Sequence, residues 1–116
     1  MSERKHKTKK TIIKQELVDA RIRLVVQWLN SFRDIRTQFS CEGDNASNGQ
    51  KPHILFHCDC QLDLVKVLSI MGSWAMLTVE FFEGSLRYNM VFPNRRNLDC
   101  FKESLEKYYN FHERSR

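Results

Sequence analysis

The sequence predicts an α+β fold: helices and strands in the order α-β-β-α-β-β-α, with a four-stranded antiparallel sheet carrying its helices mainly on one face. Three observations lead there. The chain has 116 residues, enough for one core. Apolar spacing alternates along it between the helical and the strand period. Two stretches read as hairpins, and a helix pattern follows each, which suits layered packing of helices on a sheet.

The elements follow in order. Residues 15–32 read as a helix, because Leu17, Ala20, Leu24 and Trp28 keep helical spacing while Val18, Ile22, Val25 and Leu29 widen the stripe. Residues 35–41 alternate as a strand that would place Ile35, Thr37, Phe39 and Cys41 on one face. Glu42 to Lys51 is rich in Gly, Asp and Asn and reads as a loop. Residues 53–58 form a second strand, and residues 61–71 a helix with Asp59 or Cys60 as N-cap and Gly72 as stop. Residues 74–82 are rich in β-formers, Glu83-Gly84-Ser85 is a tight turn, and residues 86–92 return antiparallel until Pro93. Asn94 or Asn97 caps a last helix with Leu98, Phe101, Leu105 and Tyr108 as its core stripe, and the chain from Phe111 is expected to fray. Phe56, Leu62, Asp63 and Lys66 recur 36 residues on as Phe92, Leu98, Asp99 and Lys102, a hint of an internal repeat.

Charge divides the chain into two parts. The net charge is +5 and the pI about 9.2. Six of the 19 basic side chains and one of the 14 acidic ones lie in residues 1–14, so residues 15–116 are balanced. The expected organisation is a basic arm, 1–14, and a single domain, 15–116. An arm of this kind can contact RNA or DNA. The start of the chain has no apolar core of a secretory signal, and no run is long and apolar enough to span a membrane. The expectation is a cytoplasmic protein with no membrane contact, whose cysteines Cys41, Cys58, Cys60 and Cys100 stay reduced.

The candidate site begins at the end of the first strand. In Thr37-Gln38-Phe39-Ser40-Cys41-Glu42-Gly43-Asp44 a strand runs into small polar residues, a thiol and a glycine turn, a setting that often carries function. Thr37, Ser40, Cys41 and Gly43, following an apolar helix with Leu29-Asn30, resemble the corresponding stretch of the Tyw3-type wybutosine-synthesising proteins. The stretch also resembles short bacterial and phage proteins with a Ser-Cys-Glu-Gly turn. The first resemblance implies tRNA-base modification with S-adenosylmethionine. It covers about 15 residues. Glu42 and Asp44 stand where that family favours a small and a basic residue.

Spacing bears on the other groupings. Cys41, His53, His57, Cys58 and Cys60 suggest zinc, but a 35–41/53–58 hairpin puts Cys41 beside His53 and leaves Cys58 at the far end, roughly 20 Å off at about 3.4 Å per residue. No metal site is expected. Cys41 with His53 could pair as nucleophile and base, yet Glu42 and Asp44 oppose a lowered thiol pKa. With Phe39 and Phe56 taken as core, the opposite sheet face receives Arg36, Gln38, Ser40, His53, Leu55 and His57, with Arg87 and Asn89 from the last strand. Such a face suits stacking on nucleic acid or contact with a second copy. Arg95 and Arg96, at a helix start, form a further candidate anion seat. The expected binding residues are therefore Arg36, Thr37, Ser40, Cys41, Glu42, Gly43, His53, Arg87, Arg95 and Arg96. The leading expectation is a small non-catalytic, homo-oligomeric binding protein that contacts nucleic acid or a nucleotide-bearing partner. The alternatives are an enzyme using the Ser-Cys-Glu-Gly loop and a phage or host protein-interaction factor. No cofactor follows from the residues themselves.

Overall fold

A computed structural model of the chain describes residues 19–43 and 49–113. The basic arm, residues 1–14, and the first residues of the expected opening helix lie outside them. A 3₁₀ turn, Ala20–Ile22, leads into helix α1, Arg23–Asn30. Strands β1, Ile35–Cys41, and β2, His53–Cys58, are followed by helix α2, Gln61–Met71. Strands β3, Met76–Phe82, and β4, Ser85–Val91, are followed by helix α3, Arg95–Tyr108. The fold is α+β, in the expected order. No helix among the described residues is long and apolar enough to cross a membrane.

The four strands form one antiparallel sheet in the order β1-β2-β4-β3. This order is twofold-symmetric, since turning about the β2–β4 junction exchanges the two hairpins. Ile54 faces Met90, the residue 36 positions on, so the junction itself lies at the spacing of the sequence repeat.

One face of the sheet is dry. Ile54 and Phe56 of β2 and Tyr88 and Met90 of β4 point to it, and all are buried. The apolar stripe of α1, with Leu24, Val25, Trp28 and Leu29 buried, packs there. From α3, Leu98, Phe101 and Leu105 join the same core. Phe101 is its hinge point, edge-on to Trp28 at 5.4 Å and tilted against Phe92 at 5.9 Å. Asn94 caps α3 through its side-chain oxygen, which accepts the Asn97 N–H at 2.8 Å. Gly72 follows α2 at φ +55.

Four expectations change. The opening helix, expected over 15–32, is shorter among the described residues: Ala20–Ile22 is a 3₁₀ turn, and α1 ends at Asn30, where Ser31 and Phe32 N–H bond the carbonyls three residues back. Tyr108, expected in the α3 stripe, is 69% exposed, because α3 ends there and Leu105 is its last buried contact. The third strand begins at Met76 rather than Trp74, since Trp74 N–H still bonds to the Met71 carbonyl in the turn after α2. Phe39 is not core but 57% exposed. Thr37 pairs with Phe56 while Phe39 pairs with Leu55, so Gln38 is unpaired in a β-bulge. One extra residue reverses the facing of everything after it. Ile35 and Thr37 point to the helices, whereas Phe39 and Cys41 point away. Ser40, opposite buried Ile54, consequently lies on the helix side and not on the open face.

Candidate functional site

Among the described residues no helix covers the second face of the sheet, and the register orders its side chains into rows. Residues opposite one another on antiparallel strands share a face. One row is Cys41, His53, Val91 and Met76, and the next is Phe39, Leu55, Asn89 and Thr78. Continuing the same register, a third row holds Arg36, His57, Arg87 and Glu80.

The rows are internally tied. Phe39 lies on His53, ring centroids 5.6 Å apart and 35° between planes. The His53 Nδ1 lies 2.8 Å from the Lys51 carbonyl oxygen. A carbonyl only accepts, so Nδ1 is the donor of that bond. His57 Nδ1 likewise donates to the Leu86 carbonyl at 3.2 Å. Arg87 bonds Glu80 at 2.6 Å and places its guanidinium 4.1 Å from the centre of the Phe82 ring. Arg36, at the edge of the sheet, pairs with Asp59 at 3.7 Å. The face thus offers two aromatic rings, Phe39 and Phe82, flanked by arginines and histidines.

The Ser-Cys-Glu-Gly turn is built differently. Glu42 joins three segments: its N–H donates to Asp19 Oδ2 at 3.1 Å, and its Oε1 accepts the Arg21 N–H at 3.1 Å. Its Oε2 and its carbonyl oxygen both accept from Arg95, at 3.4 and 3.3 Å. Arg95 also donates to the Gly43 carbonyl. Gly43 has φ +78, and a Cβ there would stand 2.8 Å from the Gln50 oxygen and the Pro52 nitrogen. Only glycine meets both demands. The turn is a clamp joining the end of β1 to the start of α3.

The ten expected residues therefore separate. Arg36, Cys41, His53 and Arg87 meet on the open face. Glu42, Gly43 and Arg95 meet in the clamp. Thr37 and Ser40 face the helix side, and Asn30 holds Thr37, its Oδ1 accepting the Thr37 N–H at 3.0 Å and its Nδ2 donating to the hydroxyl at 2.9 Å. Arg96, next to Arg95 at the start of α3, is exposed. Cys41 stands opposite His53 as expected, but its thiol donates to Gln50 Oε1 at 3.4 Å.

Two features escaped the sequence. Phe39 joins the face only through the bulge, which no residue pattern announces. Asp34, Cys60 and Asp63 bring two carboxylates and a thiol within 4.8 Å of one another, a set that could hold a cation. One carboxylate oxygen of Asp63 is already engaged by the Asp34 N–H at 3.4 Å. The partners come from the turn before β1 and the start of α2, too far apart in sequence to form a motif. Nearby, burial pushes the Cys58 thiol above its ordinary pKa, with Asp63, Cys60 and Asp59 adding to the rise and the Cys60 backbone opposing it.

No protein-family model matches the chain, and comparison with curated proteins and with solved structures returns no match.

Proposed function

We propose that this is a non-catalytic binding protein that takes unpaired nucleic-acid bases on the helix-free face of its sheet. The observation that carries the reading is the bulge in β1. It turns an aromatic ring, Phe39, onto a face that no helix among the described residues covers, where it stands 57% exposed against His53. Exposing such a ring has a hydration cost, and stacking on a base removes it. Arg36 is 68% exposed on the same face, where a guanidinium can meet phosphate or stack, while Arg87, paired with Glu80, lies over the Phe82 ring. The Lys-rich arm, 1–14, would add affinity without selectivity. The Cys41–His53 pair, which could suggest chemistry, has its thiol hydrogen bond directed to Gln50 and its Nδ1 to Lys51.

Fluorescence anisotropy with single-stranded and duplex oligonucleotides tests this on the full chain at low and moderate salt. Single strands should bind more tightly than duplexes. Phe39→Ala should weaken single-strand binding about fivefold to a hundredfold, the range for one stacked base. Replacing Lys5, Lys7, Lys9 and Lys10 by Gln should flatten the salt dependence while the preference for single strands remains. Wild-type affinity in Phe39→Ala, or a complete loss of binding with the lysines, would overturn the proposal.

A further inference from the structure

The two edges of the sheet are treated in opposite ways. At the β1 edge, the bulge bends the strand, Asn30 occupies the Thr37 backbone N–H, and Arg36 adds charge. Natural sheets blunt their edges by these means. At the β3 edge there is no bulge or proline, and among the described residues no side chain or loop occupies the outer backbone of the strand. Its seven residues, Met-Leu-Thr-Val-Glu-Phe-Phe, carry one charge, and Glu80 turns that charge onto the open face toward Arg87.

On the helix side of the sheet, α2, which packs against β2, carries a second exposed apolar stripe. Asp63 touches the turn before β1, so that flank of α2 faces β1. On a helix of 3.6 residues per turn, Val65 and Leu68 then lie on the opposite flank, toward β4 and β3. Leu62 and Val65 are 71% and 52% exposed, and on the same side of the sheet Val79 and Phe81 are 57% and 71% exposed. A helix that is apolar nearly all round is one that expects cover on more than one side.

We infer that β3 pairs antiparallel with β3 of a second copy, about a twofold axis through Val79, and that the α2 stripes of the two copies close over the seam. The strand is self-complementary in that register. Met76 faces the partner's Phe82, Leu77 the partner's Phe81, and Thr78 the partner's Glu80. Every pair lies on one side of the sheet, and all seven residues are used. An axis through Glu80 would oppose two carboxylates and shorten the overlap. The self-matching of charge and side favours a second copy over an unrelated strand, and the symmetric contact closes at two subunits. The joined sheet has eight strands, and its outer edges are the two blunted β1 strands.

The test is analytical ultracentrifugation of the full chain. The wild type should be a dimer at micromolar concentration. Val79→Lys and Val79→Glu each place like charges together on the axis and should weaken dimerisation at least about a hundredfold. Val79 is exposed, and circular dichroism should show both variants folded. Mixed together they should form a one-to-one heterodimer, because only an axis through Val79 sets Lys against Glu. A monomeric wild type up to about 100 μM, single variants that stay dimeric, or a mixture that stays monomeric would each overturn the inference. The proposal for the open face is separable from this one: Phe39→Ala, on the other edge, should dimerise as the wild type does.

Discussion

The guanidinium of Arg95 donates to the carbonyl oxygen of Gly43 at 2.5 Å, across 52 residues of chain. The same side chain reaches the carbonyl oxygen and carboxylate of Glu42, so one planar group satisfies three acceptors at the end of β1. Lysine, a point charge with three rotatable donors, cannot reproduce that fork. The side chains of Arg95 and Glu42 are 20% and 30% exposed, sheltered enough for the pair to matter. Arg95→Ala should lower stability by about 1 to 3 kcal/mol, and Arg95→Lys should recover only part of it. Urea denaturation of the three proteins measures this; equal midpoints would show the clamp to be idle.

Gly43→Ala should be the more damaging change in the same turn. The positive φ is strained for alanine, and the new methyl group would meet backbone atoms of Gln50 and Pro52 that cannot swing aside. A loss of about 2 kcal/mol or more is expected. Thermal melts should separate this from Gly84→Ala, where φ is also positive but no atom lies within 4 Å of the added carbon. The first variant should melt clearly below the second.

Phe101 connects α3 to both α1 and the sheet through Trp28 and Phe92. It is fully buried. Truncation to alanine should cost about 3 to 5 kcal/mol, lost burial plus the cavity left behind. Tyr108→Ala, on the exposed end of the same helix, should cost little. Denaturant midpoints distinguish the two, and similar values for both would contradict this packing.

Cys58 should make stability depend on alkaline pH. Its thiol donates to the Cys60 carbonyl at 3.1 Å, and its folded-state pKa is raised, chiefly by burial. The folded chain therefore holds this proton more tightly than the unfolded chain does. The stability it contributes is complete below the ordinary thiol pKa and is lost as pH rises through the raised folded value. Melting temperatures from pH 8 upward should fall more steeply for the wild type than for Cys58→Ala. Parallel curves would argue against a thiol held protonated by its partial burial.

Asn89 Oδ1 is buried in β4 and has no hydrogen-bond partner among the described residues. Its cross-strand neighbours are Leu55 and Thr78, which suit an apolar β-branched side chain. Asn89→Val should stabilise the protein by about 1 kcal/mol, read as a rise of several degrees in Tm; a lower Tm would mean that the oxygen is satisfied in solution.

The kinds and order of the elements were determined by sequence alone, because they rest on local physics. The stripe of α1, the alternation of β2, the Glu83-Gly84 turn and the Asn94 cap each act within a few residues. The Cys41–His53 pairing was legible for the same reason: a hairpin brings strand ends together whatever lies outside it. Tertiary structure decided what depends on distant partners. Nothing in Thr37-Gln38-Phe39 specifies a bulge; it arises where β1 must satisfy β2, α1 and Asn30 together, and it moves Phe39 from the expected core to the open face. Arg95 reads locally as an anion seat, yet the strand order brings Glu42 to it and makes it a clamp. Which edge of the sheet stays bare was decided in the same way: β2 pairs with β4, and that long-range choice leaves β3 outermost.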